Sequence, residues 1–383
     1  MRSGLCFLAA VFLAGSPAPA SAAEAGQQLL YLATWPHQIV VFDATQEKIV
    51  DTIDLKTDVL DTLILSQDKK KLYVSTLNDN SIVTIDLATR KPASSFSLNS
   101  GNRKVRVLGL TPDPTGKYLY GLARVITKQL DHYDIDPPNF IVIDLAAGKI
   151  IRTAEFPKDE DRLDFYADLR ASPDGKLLYL FRENILVFDT TSFHVVKKID
   201  LAKPQTPGVE NVSMYLLDDP NELPGKVTSV FHYSDPYVHR LVFGIASIDL
   251  ANLSFDFSPV GPVEVGRFMP LRLTPDRKVG YTVAINGSPG NRRCEFWAFD
   301  MQSRKLIRKR EFDGRNRFNF ALSADGTKIL IYGAGYDIEV YDSNTFALRS
   351  NVVLPGDVTS NMIVMPTGST AVAADRPPPP RAP

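Results

Sequence analysis

Short apolar runs punctuate this chain, and seven of them end the same way. Each is a β-rich stretch closed by Asp and followed by a polar turn. Ile39–Asp43, Ile82–Asp86, Phe140–Asp144, Ile185–Asp189 and Ile338–Asp342 are strong copies. Ala246–Asp249 and Phe296–Asp300 are weaker ones. The steps from Asp to Asp are 43, 58, 45, 60, 51 and 42 residues. A unit of this length, rich in strands and turns, predicts the blades of a β-propeller.

A second phrase runs between the first. Ser66-Gln67-Asp68, Thr111-Pro112-Asp113, Ser172-Pro173-Asp174-Gly175, Thr274-Pro275-Asp276 and Ser323-Ala324-Asp325-Gly326 are turn sequences, each followed by a strand such as Lys71–Val74 or Leu177–Leu180. Pro presets φ, Asp bonds the local backbone and Gly supplies positive φ. One copy has decayed, near Leu217-Asp218-Asp219-Pro220. The repeated Asp residues are read as turn formers and not as catalytic carboxylates, because one role recurs at one position in every unit.

Ordered from the axis outward, the first strand of each unit precedes the Ser-Pro-Asp turn, the second follows it and the third ends in the repeated Asp. The fourth is the outer edge, as in Ile49–Ile53. The chain would enter the ring at Leu29–Leu32, a second strand, and finish at Asn361–Met365, a first strand. The expected fold is therefore all-β: a seven-bladed propeller over 24–366, closed by the C-terminal strand joining the first blade. Its 343 residues allow about 49 per blade. Closure removes the open sheet edges.

The meander places first-to-second and third-to-fourth turns on one face, and nearly all are short. The other face receives the long segments 124–139, 157–166, 202–211, 232–241, 258–268 and 286–293. Insertions gathered on one face predict that this face binds something. The candidate residues for a partner or cavity face are Arg124, Asp131, His132, Tyr133 and Asp134, with His232, Tyr233 and His239. The segment 124–138 reads either as a lengthened hairpin with solvated charges or as a surface that meets a partner.

Composition adds an address. Residues 1–22 carry Arg2, an apolar run from Leu5 to Ala14 and Ala20-Ser21-Ala22, the pattern of a cleaved signal peptide. The apolar run is too short to span a bilayer, which takes about 20 residues, and no later stretch is long enough. The expected location is the periplasm. Residues 367–383, with Arg376-Pro-Pro-Pro-Pro-Arg381, read as a disordered Pro-rich tail. Formal net charge is −1, which gives no basis for nucleic-acid binding. Only Cys6 and Cys294 occur, and Cys6 lies in the leader, so Cys294 has no internal disulfide partner. No haem-attachment, phosphate-loop or nucleophile-elbow motif is present, and the five histidines are scattered apart from His232 and His239.

Lys71-Leu-Tyr-Val-Ser and Ser172-Pro-Asp-Gly-Lys resemble the bacterial YVTN-type propellers. A closer resemblance is to the β subunit of quinohaemoprotein amine dehydrogenase. It rests on 108–144: Pro112-Asp113 leading to Gly116-Lys117, then Arg124-Val125, the run Asp131-His132-Tyr133-Asp134, Pro137-Pro138, and a strand ending in Asp144. Leu354-Pro355-Gly356 is also similar. This resemblance implies a periplasmic heterotrimer in which the propeller carries no cofactor of its own. A dihaem cytochrome subunit and a quinone-bearing small subunit would do the redox chemistry, oxidising primary amines, and the propeller would help wall the active site. No catalytic residue carries over. The alternatives are a stand-alone periplasmic propeller that binds a ligand or protein, and a lactonase-like metal hydrolase.

Overall fold

The computed structural model describes residues 28–366, apart from 161–166, 205–206, 215, 217, 236, 238–240, 263–264, 288–290, 316 and 334. The leader, the Pro-rich tail and His239 lie outside the described residues.

Seven antiparallel sheets form the seven blades of a β-propeller, with almost no helix. Each third strand ends on the repeated Asp: Gln38–Asp43, Ser81–Asp86, Asn139–Asp144, Asn184–Asp189, Leu241–Asp249, Arg293–Asp300 and Asp337–Asp342. The ring closes as expected. Ile363–Val364 pairs with Leu29–Thr34 through Leu30↔Val364 and Tyr31↔Ile363. A bridge between Thr34 and Val358 and a bond from Ala33 N to Ser360 Oγ extend the seam.

The repeated Asp is a turn former in all seven blades. Its carboxylate accepts backbone N–H groups two and three residues on, as Asp189 does from Thr191 and Ser192 and Asp342 from Asn344 and Thr345. This is the local bonding that Asp offers in place of a strand ladder. Four residues beyond each Asp the backbone has positive φ, at Glu47, Arg90, Gly148, Phe193, Leu253, Arg304 and Phe346. Only one of these is Gly, so packing must support the other six in a sparsely allowed region.

The support comes from the preceding blade. Asp51 meets Arg90 at 3.3 Å, and Phe96 lies against Gly148. The Arg152 guanidinium sits 4.3 Å over the Phe193 ring, and Lys197 donates to Leu253 O. Asp256 pairs with Arg304 at 3.0 Å, Arg308 lies over Phe346, and Arg349 pairs with Glu47 at 2.7 Å. Every interface between neighbouring blades therefore carries one contact between an outer strand and the next blade's outer turn. The apolar core lies between the sheets, where large rings such as Phe140, Phe188 and Phe193 pack at centroid distances near 5 Å.

Two details refine the sequence pattern. In blade three the turn is shifted by two residues. Asp113 N bonds Tyr118 O as Ser172 N bonds Leu177 O, so Asp113 takes the Ser position and Thr115 the Asp position. The hydroxyl–carboxylate pair has been exchanged and the turn kept. In addition, the segment 124–139 is not one loop. Its β-branched start, Val125-Ile126-Thr127, continues the second strand, Tyr118–Lys128, and Tyr133–Ile135 returns along it. The insertion is a lengthened hairpin.

Candidate functional site

Alternation of strand direction puts the first-to-second and third-to-fourth turns on one face and the remaining connections on the other. The short-turn face has a single long excursion among the described residues, at 218–225, where the repeat has decayed. It ties three blades together near the axis. Asp218 reaches Arg170 of blade four at 3.1 Å. Arg272 of blade six donates to Asp218 O, Leu273 N donates to Asp219 at 2.7 Å, and Asn221 donates to Leu273 O. Burial raises the Asp219 carboxyl, while Arg272 pulls it back. Blades three and four meet directly, through Ala167 N to Leu108 O at 2.7 Å.

The long-loop face carries the exposed apolar groups. Trp35, Leu77, Leu130, Tyr237 and Tyr336 stand on second-to-third connections of five different blades, joined by Tyr133 and Ile135 of the hairpin. Among the described residues, the other large exposed apolar side chains lie on outermost strands, except Leu223 on the short-turn face.

The sequence candidates divide between tip and strand. Asp131, His132, Tyr133 and Asp134 come together at the hairpin tip, with His132 Nδ1 2.7 Å from Asp131 and Nε2 3.4 Å from Asp134. Gln129 donates to Asp134 at 2.6 Å. Arg124 is in the second strand, in register opposite Arg106, and is half-buried. His232 and Tyr233 belong to the strand Lys226–Ser234. Tyr233 is buried and stacked on Phe231, so its ring serves the core between blades four and five. Burial lowers the His232 pKa. Cys294 is buried beside Gly314, and burial raises its thiol. Among the described residues, no group of three or more His, Cys, Asp or Glu side chains is placed to hold a metal ion.

Sequence reasoning placed an inner strand at 167–170, which the structure forms as Asp168–Ala171, but named no site residue on it. Asp168 and Arg170 pair there at 2.7 Å, at the edge of a cavity of about 550 Å³ between blades four and five. Burial pushes the Asp168 carboxyl up to about 6, against the pull of Arg170. The signal was present in the sequence: two opposite charges, Asp168 and Arg170, flank Leu169 on an inner strand. Among the described residues, no helix is long and apolar enough to cross a membrane.

No protein-family model and no curated protein matches this chain. Solved structures do. A functionally unknown protein from Desulfotomaculum acetoxidans aligns with a TM-score of 0.55 at 14% identity, covering 89% of this chain and 99% of that one. The periplasmic gluconolactonase PpgL of Pseudomonas aeruginosa aligns with a TM-score of 0.54 at 13% identity, covering 89% and 100%. The dihydro-haem d1 dehydrogenase NirN aligns with a TM-score of 0.51 at 15% identity, covering 92% of this chain and 78% of that one. At such identities these likenesses bear on the fold alone, and they agree on a β-propeller.

Proposed function

We propose that this chain is the cofactor-free propeller subunit of a periplasmic quinohaemoprotein amine dehydrogenase, and that its long-loop face docks the quinone-bearing small subunit. The observation that carries the docking is that Trp35, Leu130, Tyr133, Tyr237 and Tyr336 all stand exposed on connections of that face. Aromatic anchors among polar neighbours are the usual make-up of an interface centre. The resemblance over 108–144 supports the choice of partner, and its acid–His–aromatic–acid run forms the tip of the hairpin on this face. A leader-like start, and the periplasmic address of the similarly folded gluconolactonase, support the location.

The role assigned to the propeller is to bind and enclose. Its face would exclude water from the partner's active site, while electrons pass to a dihaem cytochrome subunit. The test is co-expression with the neighbouring genes, followed by pull-down and amine-dependent dye reduction. Co-purification of a small quinone-bearing subunit is the expected result, and a chain that emerges alone under conditions where both neighbours are expressed and folded overturns it. The cavity beside Asp168 favours a second reading, a stand-alone propeller that binds a small ligand.

A further inference from the structure

We infer that the cavity between blades four and five binds a small organic cation with an apolar body, held at Asp168. The site belongs to this chain alone and needs no partner subunit.

The cavity has about 550 Å³, within the range of small-molecule sites, which runs from about 300 to 1,000 Å³. Its apolar walls include Phe181, Leu201, Val212 and Met214, and its polar lining includes Asp168, Arg182 and Glu183. The apolar side chains belong to the packed core shared by blades four and five, so the walls are held by the fold.

Charge decides the ligand class. Arg170 serves two carboxylates at once, Asp168 at 2.7 Å and Asp218 at 3.1 Å, and it also donates to Leu169 O. One guanidinium between two carboxylates leaves one negative charge over. Glu183 adds a second on the lining, and Arg182 is the positive group there, with Nη1 committed to Glu160 O. The balance of Asp168, Glu183, Asp218, Arg170 and Arg182 is thus negative by one. Asp168 is deep enough for burial to push it up to about 6. A half-buried carboxylate that shares its guanidinium with a second carboxylate gains most from a cation that can also donate hydrogen bonds. An anion would meet Asp168 and Glu183 while Arg170 is already engaged. A neutral ligand would gain the apolar contacts only.

Benzamidine, benzamide and benzoate form a near-isosteric set that differs in charge. Titration calorimetry on the purified full chain is expected to show benzamidine binding, with benzamide and benzoate at least tenfold weaker. Asp168→Asn should weaken benzamidine at least tenfold. Because that change also disturbs Arg170, Met214→Trp provides a second arm: it removes no charge, fills the cavity from the blade-five wall and should abolish binding in a chain that still melts cooperatively. Equal binding of the three probes overturns the inference, as does no benzamidine heat from folded chain, or benzamidine binding that survives Met214→Trp. Failure here would leave the docking proposal untouched, since that is read from co-purification.

Discussion

Arg349, on the outermost strand of blade seven, pairs at 2.7 Å with Glu47 in the outer turn of blade one. Lys328 meets the same carboxylate at 3.1 Å, and Ser350 donates to its other oxygen. Glu47 has φ of 53°, so three donors from the last blade hold a strained residue of the first. This is the seventh copy of the contact that joins every blade to the next, and it lies on the seam where the ring closes.

The first expectation follows from that carboxylate. Burial raises its pKa, but bonds from Ser350, Arg349 and Lys328 outweigh burial and hold it at about 2, against 4.5 unperturbed. A depressed folded pKa stabilises the protein above the unfolded value, and that stability drains as pH falls from about 4.5 towards 2. Glu47→Gln should cost about 1–2 kcal/mol near neutral pH, since it leaves the Arg349 and Lys328 charges without their partner. Chemical denaturation at pH 7 and pH 3 checks this. The gap between variant and parent should narrow at the lower pH, and a gap that stays constant would remove Glu47 from the account.

A second expectation concerns the inner seam. Truncation after Ser360 removes Ile363–Val364 and the bond from Met362 N to Tyr332 Oη. It bares the inner edge of Leu29–Thr34 and uncovers the core around Met362 and Val364. Folding should largely fail, because the ring then has an open edge. Truncation after Pro366 should leave the melting temperature within about two degrees of the parent. Thermal melts of the two proteins decide it, and equal melting would mean that the closing strand contributes nothing.

Gly109 sets a third. A Cβ there would lie 2.0 Å from the carbonyl oxygen of Ala167, where blades three and four bond directly. Backbone cannot yield as a side-chain tip can, so Gly109→Ala should cost about 3 kcal/mol or more and break the Ala167 N–Leu108 O bond. Gly101→Asn is the control. Gly101 has φ of 57° and open space around it, and Asn tolerates that region. Its loss should stay below about 1 kcal/mol, measured by the same denaturation.

The blades were legible because one chemical need recurs in each. A strand that must turn after its last residue takes Asp, and the Asp positions marked all seven third strands. The closing strand was legible by elimination, since the chain starts on a second strand. Blade five was harder. Its Ser-Pro-Asp turn is gone, and Asp218 and Asp219 have been taken over for contacts with Arg170 and Arg272, so the pattern weakens where the inner strands are tied together. The site near Asp168 was missed because its members come from several elements, and only the packing of blade four against blade five brings Asp168, Glu183 and Met214 to one cavity. Tyr233 misled for the opposite reason: an aromatic beside a loop looked exposed, but strand pairing continues to Ser234 and turns its ring inward.

The last expectation tests the long-loop face. Leu130 is fully exposed at the hairpin tip, and Tyr133 is 62% exposed beside it. Neither supports the core, so Leu130→Ser with Tyr133→Ser should leave the melting temperature of the chain unchanged. If these side chains are anchors of the interface, their joint loss should weaken capture of the small subunit by about 30-fold or more, the effect of roughly 2 kcal/mol. Leu223→Ser is the matched control. It also removes an exposed Leu, but from the short-turn face, and it should not change capture. Binding isotherms for the three proteins separate the cases. Equal weakening by both changes would point to general stickiness and not to a face. No weakening by the hairpin pair would leave Trp35, Tyr237 and Tyr336 as the only aromatic anchors named for that surface, and would remove the hairpin from the interface.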